Sequence, residues 1–364
     1  MLYTARTHRL LTTTRWYHTS LSNPLNRCIV FSGQGTISNT MGNDFHKQYP
    51  HLLRPIWTQI NHAMGQDISS ILFPDGASNS SIDIRRTDIA QPLIYGVCTS
   101  MISVLLHSLG YSHITQLAQY TMGHSLGEFT SLTASNALSI YDTAKLLHIR
   151  GESMYNALPN ESGGMCVLQP ISHVYAVEIC NLVQQQLGEN TICTISNINS
   201  SSQIVLSGHR NGVERAVVIA RTGIGKHPPI KLARLLNVTS PFHCQLMRAA
   251  EQPLNNIIQS LQFNPLKLNL ITNVDAQLHG ISTNTNQIKQ LFVDQLTRPV
   301  QWYKSVLTAL NDGVREFVEI SPGKVLCPLI DAIAKHHNYT DIHTYCISNV
   351  PQMQTYIDMH VPNK

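Results

Sequence analysis

The chain has 364 residues, of which 43% are apolar and 13% charged, with a formal net charge of +4 at pH 7. This composition can bury a large core and excludes a disordered or fibrous protein, and the length indicates two domains, or one large domain with an insertion. Without Arg6, Arg9 and Arg15 the chain has 22 basic and 21 acidic residues, a net charge of about +1. A charge this small does not support binding to nucleic acid.

The N-terminal segment has the composition of a mitochondrial transit peptide. It contains three arginines and many Thr and Ser residues, and the first acidic residue of the chain is Asp44. An apolar core of the secretory type is missing from it. We therefore expect residues 1–22 to be a transit peptide and the mature protein to lie in the mitochondrial matrix; the alternative is a disordered basic tail on a cytosolic protein.

The cysteines and histidines do not have metal-ligand spacing, so we expect no metal and mostly buried, reduced thiols. The longest apolar stretch, around residues 93–106, is interrupted by Thr99 and Ser100. It is too short to cross a bilayer, so we expect no membrane span.

The first predicted element is a short apolar strand at 27–31, which runs into the glycine-rich turn at 32–36. This turn lacks the phosphate-loop and dinucleotide patterns, so backbone N–H groups directed at a substrate oxygen are a better interpretation than a nucleotide site. A long apolar helix follows at 87–109, with Gln91 and Pro92 near its start. Its apolar character on all sides predicts burial.

The pentapeptide Gly123-His124-Ser125-Leu126-Gly127 has the form G-x-S-x-G and follows a predicted strand. In this motif the two glycines allow a sharp turn between strand and helix, and the serine hydroxyl stands exposed as a nucleophile for a carbonyl carbon. The alternative interpretation is a glycine-bounded helix start with a capping serine.

The order of elements predicts an α/β fold with an insertion. Between residues 165 and 236 a strand, a helix, two strands, a helix and a strand follow one another, which indicates a ferredoxin-like small subdomain at 161–236. In the remaining segments, 23–160 and 237–364, short strands alternate with helices, among them a strand within 114–122 and a helix at 245–261. We expect these to form one large catalytic domain whose parallel sheet is covered on both faces.

Two further residues could support chemistry at Ser125. His243 lies on a loop after a proline turn and is the candidate base, although a core or helix-capping histidine is the alternative for this residue alone. Arg150, on a predicted helix at 142–158, could hold an acyl group that ends in a carboxylate, or form an ordinary ion pair.

A dedicated triad acid is not evident. The carboxylates between Ser125 and His243, Glu128 among them, fall mostly within helices or the inserted subdomain, and none follows an obvious strand end. A backbone carbonyl could orient the imidazole instead, which would give a Ser-His dyad.

Together these motifs resemble those of the malonyl-CoA:acyl-carrier-protein transacylases of type II fatty acid synthesis. The match runs from about residue 28 to residue 329. It comprises ordered motifs at 31–35, 41–42, 90–92, 123–128, 150–151, 197–199, 203–208, 240–243, 299–302 and 321–324.

The resemblance implies an α/β-hydrolase-like large domain and a transfer of malonyl through an ester on Ser125, from malonyl-CoA to the phosphopantetheine thiol of holo acyl carrier protein. The coenzyme A thioester is then a substrate, and no bound cofactor is expected. With the predicted presequence, the resemblance implies a mitochondrial form, and we expect a monomer.

The resemblance also implies a role for each site residue. His243 would be the general base and acid, the backbone N–H groups of Gln34 and Leu126 would form the oxyanion hole, and Arg150 would bind the malonyl carboxylate. The remaining assignments are the backbone carbonyl of Gln301, which would orient His243, and two pocket residues, Gln91 and Phe242, of which Phe242 would narrow the space for an alkyl branch.

The sequence departs from the family pattern at Ser32, at Thr36 and Ile37, and within residues 200–202, where a proline is expected, without removing a catalytic side chain. A serine hydrolase or thioesterase that acts on acyl thioesters is the alternative function; it would need a dedicated acid and would have no use for Arg150. A third interpretation is a non-catalytic member of the fold that serves as a partner subunit.

Overall fold

The computed structural model describes residues 26–74, 82–158, 162–225, 227–238 and 240–360. The predicted transit peptide at 1–22 lies outside these residues. Within them the strands form two sheets, one of six strands and one of four.

The six-stranded sheet is built from both ends of the chain. Its strands are β1 (Arg27–Phe31), β2 (Tyr120–Gly123), β7 (Asn269–Ile271), β8 (Leu278–His279), β9 (Glu316–Ile320) and β10 (His343–Ile347). They lie in the order β10-β9-β1-β2-β7-β8, and all neighbours pair in parallel except β7 and β8. The predicted parallel sheet is thus confirmed, with one short antiparallel strand at its edge.

Helices pack on both faces of this sheet. They are α1 (Asn43–Gln48), α2 (Pro50–Met64), α3 (Ser69–Leu72), α4 (Thr87–Leu109), α5 (Leu126–Ala134), α6 (Ile140–Asn156), α9 (Glu251–Ser260), α10 (Thr285–Asp294), α11 (Trp302–Asn311), α12 (Leu326–His336) and α13 (Val350–His360). Ile29 and Phe31 of β1 belong to one hydrophobic cluster, while Cys28 and Val30 belong to another. Because side chains alternate along a strand, these clusters lie on opposite faces.

Helix α4 is the longest element of the core. Among the described residues it is the one helix long and apolar enough to cross a membrane, but 89% of its most apolar window is buried inside the protein. Its apolar sides are therefore covered by neighbouring helices, chiefly α2 and α6, as expected for a core helix.

The four-stranded sheet comes from one continuous part of the chain. Its elements are β3 (Gly163–Gln169), α7 (His173–Leu187), β4 (Cys193–Ile198), β5 (Ile204–His209), α8 (Arg210–Thr222) and β6 (Leu232–Leu235). The strands lie antiparallel in the order β4-β5-β3-β6 and have their own hydrophobic cluster. The β-α-β-β-α-β order matches the prediction; the domain bounds at 161–236 stay a prediction.

Some predicted elements differ in detail. The helix predicted at 245–261 begins as a 3-10 turn, Gln245–Ala250, before α9. Pro253 has no N–H to donate to residue 249, so a continuous α-helix is not favoured there. The strand predicted to end at Met122 begins only at Tyr120, after a 3-10 turn at Ile114–Gln116.

A buried ion-pair cluster ties α13 to the sheet. Arg27 Nε and Nη2 donate to the two carboxylate oxygens of Glu316 at 2.7 and 3.0 Å, and the Tyr356 hydroxyl donates at 2.9 Å. His360 Nε2 lies 3.4 Å from the same carboxylate. Burial alone would raise the pKa of Glu316, but these hydrogen bonds and charges lower it to about 2.

We expect this cluster to make stability depend on acid. Because the pKa of Glu316 is lower in the folded than in the unfolded protein, its stabilisation is present above about pH 4.5 and is lost as the pH falls towards 2. Glu316→Gln should lower the free energy of unfolding at pH 7 by about 3 kcal/mol and by less at pH 3. Urea unfolding across this range measures both values.

The control is Asp341→Asn, since Asp341 is 65% exposed in its pair with Arg315 and should contribute less than about 1 kcal/mol. An equal effect of Glu316→Gln at pH 3 and pH 7 would contradict the role of the carboxylate charge.

Candidate active site

The elbow is built as the G-x-S-x-G motif predicts. Ser125 lies between β2 and α5 with a φ of 53°, in the left-handed region. A Cβ on Gly123 would lie 1.9 Å from the carbonyl carbon of Gly127, and one on Gly127 would lie 2.0 Å from the backbone oxygen of Phe31. Both positions therefore require glycine, because the turn folds closely on itself at Gly123 and packs directly against β1 at Gly127.

Asn273 braces this turn from the neighbouring strand. The Ser125 N–H donates to Asn273 Oδ1 at 2.7 Å, and Asn273 Nδ2 donates to the Gly123 carbonyl at 2.7 Å. The amide thus pairs backbone groups that a sharp turn leaves without a ladder partner. Sequence reasoning missed Asn273; its place just after β7, the strand beside β2, was the available signal.

Ser125 and His243 are in hydrogen-bond contact. Ser125 Oγ lies 2.7 Å from His243 Nε2, and His243 Nδ1 lies 2.7 Å from the backbone oxygen of Gln295. Because a carbonyl oxygen can only accept, Nδ1 carries the proton and Nε2 is free to accept one from the serine. Burial, with the charge of Arg150, lowers the pKa of His243 to about 3, so the ring is neutral at neutral pH.

The carbonyl that orients His243 belongs to Gln295, not to Gln301 as predicted. Gln295 is the residue that caps the C-terminal end of α10, where backbone carbonyls have no partner within the helix. The carbonyl of Gln301 instead accepts hydrogen bonds from the backbone N–H and hydroxyl of Ser305, in the first turn of α11. The predicted kind of group was correct, and the residue was wrong.

Arg150 extends from α6 to the nucleophile and is 2% exposed. Its Nη1 donates to Gln91 Oε1 at 2.5 Å, and its Nη2 donates to Gln295 Oε1 at 2.7 Å and to Ser125 Oγ at 3.2 Å. The guanidinium carbon also lies 4.8 Å from the centre of the Phe129 ring.

Among the described residues, the guanidinium of Arg150 has only neutral hydrogen-bond partners. In the described part of the chain it forms no salt bridge with a carboxylate, and its Nε–H has no partner. Burial lowers the pKa of Arg150 to about 9, and the negative charge of Glu128 opposes this shift. A buried cation with unused donor capacity beside a nucleophile is suited to bind an anionic group.

The predicted oxyanion donors lie at the same cavity. Gln34 and Leu126 line it together with Ser125 and His243, and its volume is about 370 Å³. Neither backbone N–H donates to an acceptor within the described residues. Two donors that have no partner among these residues, at the edge of this cavity, are suited to stabilise an oxygen that develops negative charge.

Two departures of the first turn from the family pattern, Ser32 and Thr36, are accommodated by hydroxyl contacts. Ser32 Oγ lies 3.0 Å from Thr36 Oγ1 and accepts from Ser321 Oγ at 2.6 Å. Thr36 Oγ1 donates to the Gly33 carbonyl at 3.1 Å. These bonds hold the turn that carries Gln34 against the loop after β9.

The predicted pocket residues Gln91 and Phe242 both line the cavity. Gln91 is almost fully buried, and its Nε2 donates to Thr87 Oγ1 at 2.9 Å, which fixes its oxygen towards Arg150. The described residues contain no group of three or more His, Cys, Asp or Glu side chains that could hold a metal ion.

Glu128 is a buried carboxyl next to this site. Its Oε1 accepts from the Asn273 N–H at 3.0 Å, and its Oε2 accepts from Gln295 Nε2. Burial raises its pKa to about 8, and the hydrogen bonds from Asn273 and Gln295 oppose that shift. Glu128 does not replace the missing triad acid, because the Nδ1 of His243 bonds to the Gln295 carbonyl.

A nucleophilic serine, a neutral histidine base and a buried arginine at one cavity are the arrangement of an acyltransferase. Residues 28–354 match the acyl transferase domain family. The chain is 31% identical over 304 residues to the malonyl CoA-acyl carrier protein transacylase of Bacillus subtilis, covering 84% of this chain and 89% of that protein. It is 30% identical over 316 residues to the Staphylococcus aureus (strain MRSA252) protein of the same name, covering 87% and 95%.

Solved structures agree with this match. The malonyl CoA-acyl carrier protein transacylase of Coxiella burnetii matches with a TM-score of 0.81 and 25% identity, covering 93% of this chain and 98% of that one. The acyl-carrier-protein S-malonyltransferase of Bartonella henselae matches with a TM-score of 0.79 and 30% identity, covering 92% and 99%. The chain therefore belongs to the acyl transferase domain family and, within it, to the malonyl CoA-acyl carrier protein transacylases.

Proposed function

We propose that the protein transfers malonyl from malonyl-CoA to the phosphopantetheine thiol of holo acyl carrier protein, through an ester on Ser125. The observation that supports this most is the contact of 3.2 Å between Arg150 Nη2 and Ser125 Oγ. A cation without a carboxylate partner among the described residues thus touches the nucleophile. An acyl group that carries its own carboxylate would complete this site, whereas a neutral acyl group would leave the cation unpaired.

In the first step Ser125 Oγ attacks the thioester carbonyl while its proton moves to His243 Nε2, 2.7 Å away. The C–S bond then breaks, and the coenzyme A sulfur leaves with the proton from Nε2. The Gln295 carbonyl stabilises the imidazolium formed between these events, since it accepts from Nδ1–H. The products are the malonyl ester of Ser125 and free coenzyme A.

In the second step the phosphopantetheine thiol gives its proton to His243 Nε2 and attacks the ester carbonyl. The C–O bond breaks, and Ser125 Oγ recovers the proton. Both tetrahedral intermediates place a negative oxygen near the elbow, where the N–H groups of Gln34 and Leu126 would receive it. The same residues therefore serve both halves of a ping-pong exchange.

Residue Phe242 and the location of the protein complete the proposal. Phe242 forms part of the cavity wall and would restrict a branch on the acyl group. The transit-peptide composition of residues 1–22 supports a location in the mitochondrial matrix, where the enzyme would act in fatty acid synthesis. We propose that the enzyme acts there as a monomer.

Mass spectrometry of the purified protein tests the proposal. Brief exposure to malonyl-CoA should add one malonyl group at Ser125, and later addition of holo acyl carrier protein should move that group intact to the carrier. Loss of the group as free malonate without the carrier would indicate a hydrolase instead. An absence of any adduct from malonyl-CoA or acetyl-CoA would contradict covalent catalysis.

A further inference from the structure

Gln295 connects both halves of the site. Its backbone oxygen accepts from His243, and its side-chain oxygen accepts from Arg150. Its Nε2 donates to the backbone oxygen of Ser125 at 3.1 Å and to Glu128. One fully buried residue thus contacts the base, the cation and the backbone of the nucleophile.

The orientation of the Gln295 amide is determined by its partners. An arginine has only donors, and an ionised carboxylate has only acceptors. The amide oxygen must therefore face Arg150, and the NH₂ group must face Glu128. Burial raises the pKa of Glu128, but both of its oxygens face N–H donors, one from Asn273 and one from Gln295. A carboxyl proton on either oxygen would point at a donor, so these contacts favour the ionised form.

This arrangement also separates two buried charges by one amide group. Glu128 is 1% exposed and Arg150 is 2% exposed, yet they share Gln295 and form no direct ion pair. The negative charge of Glu128 stabilises the buried cation without occupying its donors. A direct pair would compete with an incoming carboxylate for the same N–H groups.

We propose that Glu128 is a positioning residue for acyl-group selection: through the amide of Gln295 it keeps Arg150 charged, oriented and free to bind the carboxylate of the substrate. This inference rests on the proposed function, since it concerns how a carboxylate-bearing acyl group is preferred over a neutral one. Glu128 itself touches neither the substrate carbonyl nor the base.

Glu128→Gln tests this with a side chain of nearly the same shape. The new amide must direct its oxygen to the Asn273 N–H, so its NH₂ group faces Gln295. The Gln295 amide then has to turn, and its NH₂ group meets the donors of Arg150. Arg150 thereby loses its hydrogen bond to Gln295 Oε1. We expect the kcat/KM for malonyl transfer to fall about tenfold or more, mainly through KM, because this bond involves a charged group. Acetyl transfer should change by less than about threefold, since His243 retains its carbonyl partner.

A double-mutant cycle separates this role from a structural one. With Arg150→Ala already present, Glu128→Gln should lower the kcat/KM for malonyl transfer by less than about twofold more, because Arg150, through which Glu128 acts, is gone. Ser131→Ala is the matched control on α5. The buried Ser131 hydroxyl bonds, among the described residues, only to the Gly127 carbonyl, so both acyl groups should react as in the wild type.

The paired exchange Glu128→Gln with Gln295→Glu is the second variant. It restores a donor-acceptor contact between the two positions, and thus the thermal stability, but it pairs Arg150 directly with a carboxylate. Malonyl transfer should remain impaired although the fold has recovered. This variant keeps the inference testable if Glu128→Gln alone is poorly folded.

Equal losses for malonyl and acetyl, or additive losses with Arg150→Ala, would overturn the inference and give Glu128 a purely structural role. A wild-type protein that forms no malonyl adduct on Ser125 would instead contradict the proposed function. The two failures are therefore distinguishable in one set of assays.

Discussion

Ser125→Ala abolishes the acyl-enzyme: the mass of the variant is unchanged after exposure to malonyl-CoA, and the transfer rate falls by at least about 10⁴-fold. This large effect is expected because, among the described residues, Ser125 Oγ is the one hydroxyl bonded to His243 Nε2, at 2.7 Å. The imidazole of the variant still carries the correct tautomer, since Nδ1 remains bonded to Gln295. Only the nucleophile is removed.

The measurement combines intact-protein mass spectrometry with a carrier-transfer assay. Ser131→Ala, on the helix that follows the elbow, is the control for the loss of a buried hydroxyl. A malonyl adduct that persists on Ser125→Ala would place the nucleophile at another residue. A wild-type melting temperature for the variant would show that the loss is chemical, because the serine side chain is not part of the brace formed by its backbone N–H and Asn273.

The elbow could be predicted from sequence because its requirements are local. Gly123 and Gly127 are required by contacts within the turn and with β1, and their spacing around Ser125 is a short-range pattern. Helix α4 was predicted with its observed bounds for the same reason, since its apolar pattern is long and local. The sequence pattern therefore predicts the structure where a segment's own residues determine its conformation.

The supporting residues could not be predicted because their contacts are long-range. Glu128 and Gln295 are 167 residues apart, and Ser125 and Asn273 are 148 apart. The choice between Gln295 and Gln301 shows the difficulty: both have a carbonyl near a helix terminus, and only the packing of α10 against the elbow determines which one meets His243. A sequence pattern can indicate that a backbone carbonyl is needed without identifying its residue.

The C-terminal elements were also missed. Strand β10 is polar and half-buried at the edge of the sheet, so its sequence lacks the apolar run that identified β1. It pairs with β9 and is covered by α13, whose Tyr356 hydroxyl bonds to Glu316 of β9. Burial supplied by distant partners, not local propensity, determines the structure there.

Arg150→Ala should lower malonyl transfer far more than acetyl transfer. Removal of the guanidinium takes away hydrogen bonds to a charged group, which contribute about 1.5–3 kcal/mol, so the ratio of malonyl to acetyl kcat/KM should fall by about 10- to 150-fold. Gln91 Oε1 and Gln295 Oε1 lose their donor in the variant, and water can enter the vacated space to satisfy them. This change affects both acyl groups and cancels in the ratio.

Arg150→Lys is the informative companion variant. It keeps a positive charge near Glu128 but cannot reach Gln91, Gln295 and a substrate carboxylate with one planar fork. We expect a malonyl preference between those of the wild type and Arg150→Ala, measured as kcat/KM for both acyl-CoA donors at a fixed concentration of holo carrier. Equal losses of malonyl and acetyl transfer in Arg150→Ala would refute carboxylate binding. Selectivity would then have to come from the cavity walls, and the contact of Arg150 with Ser125 would serve only to orient the nucleophile.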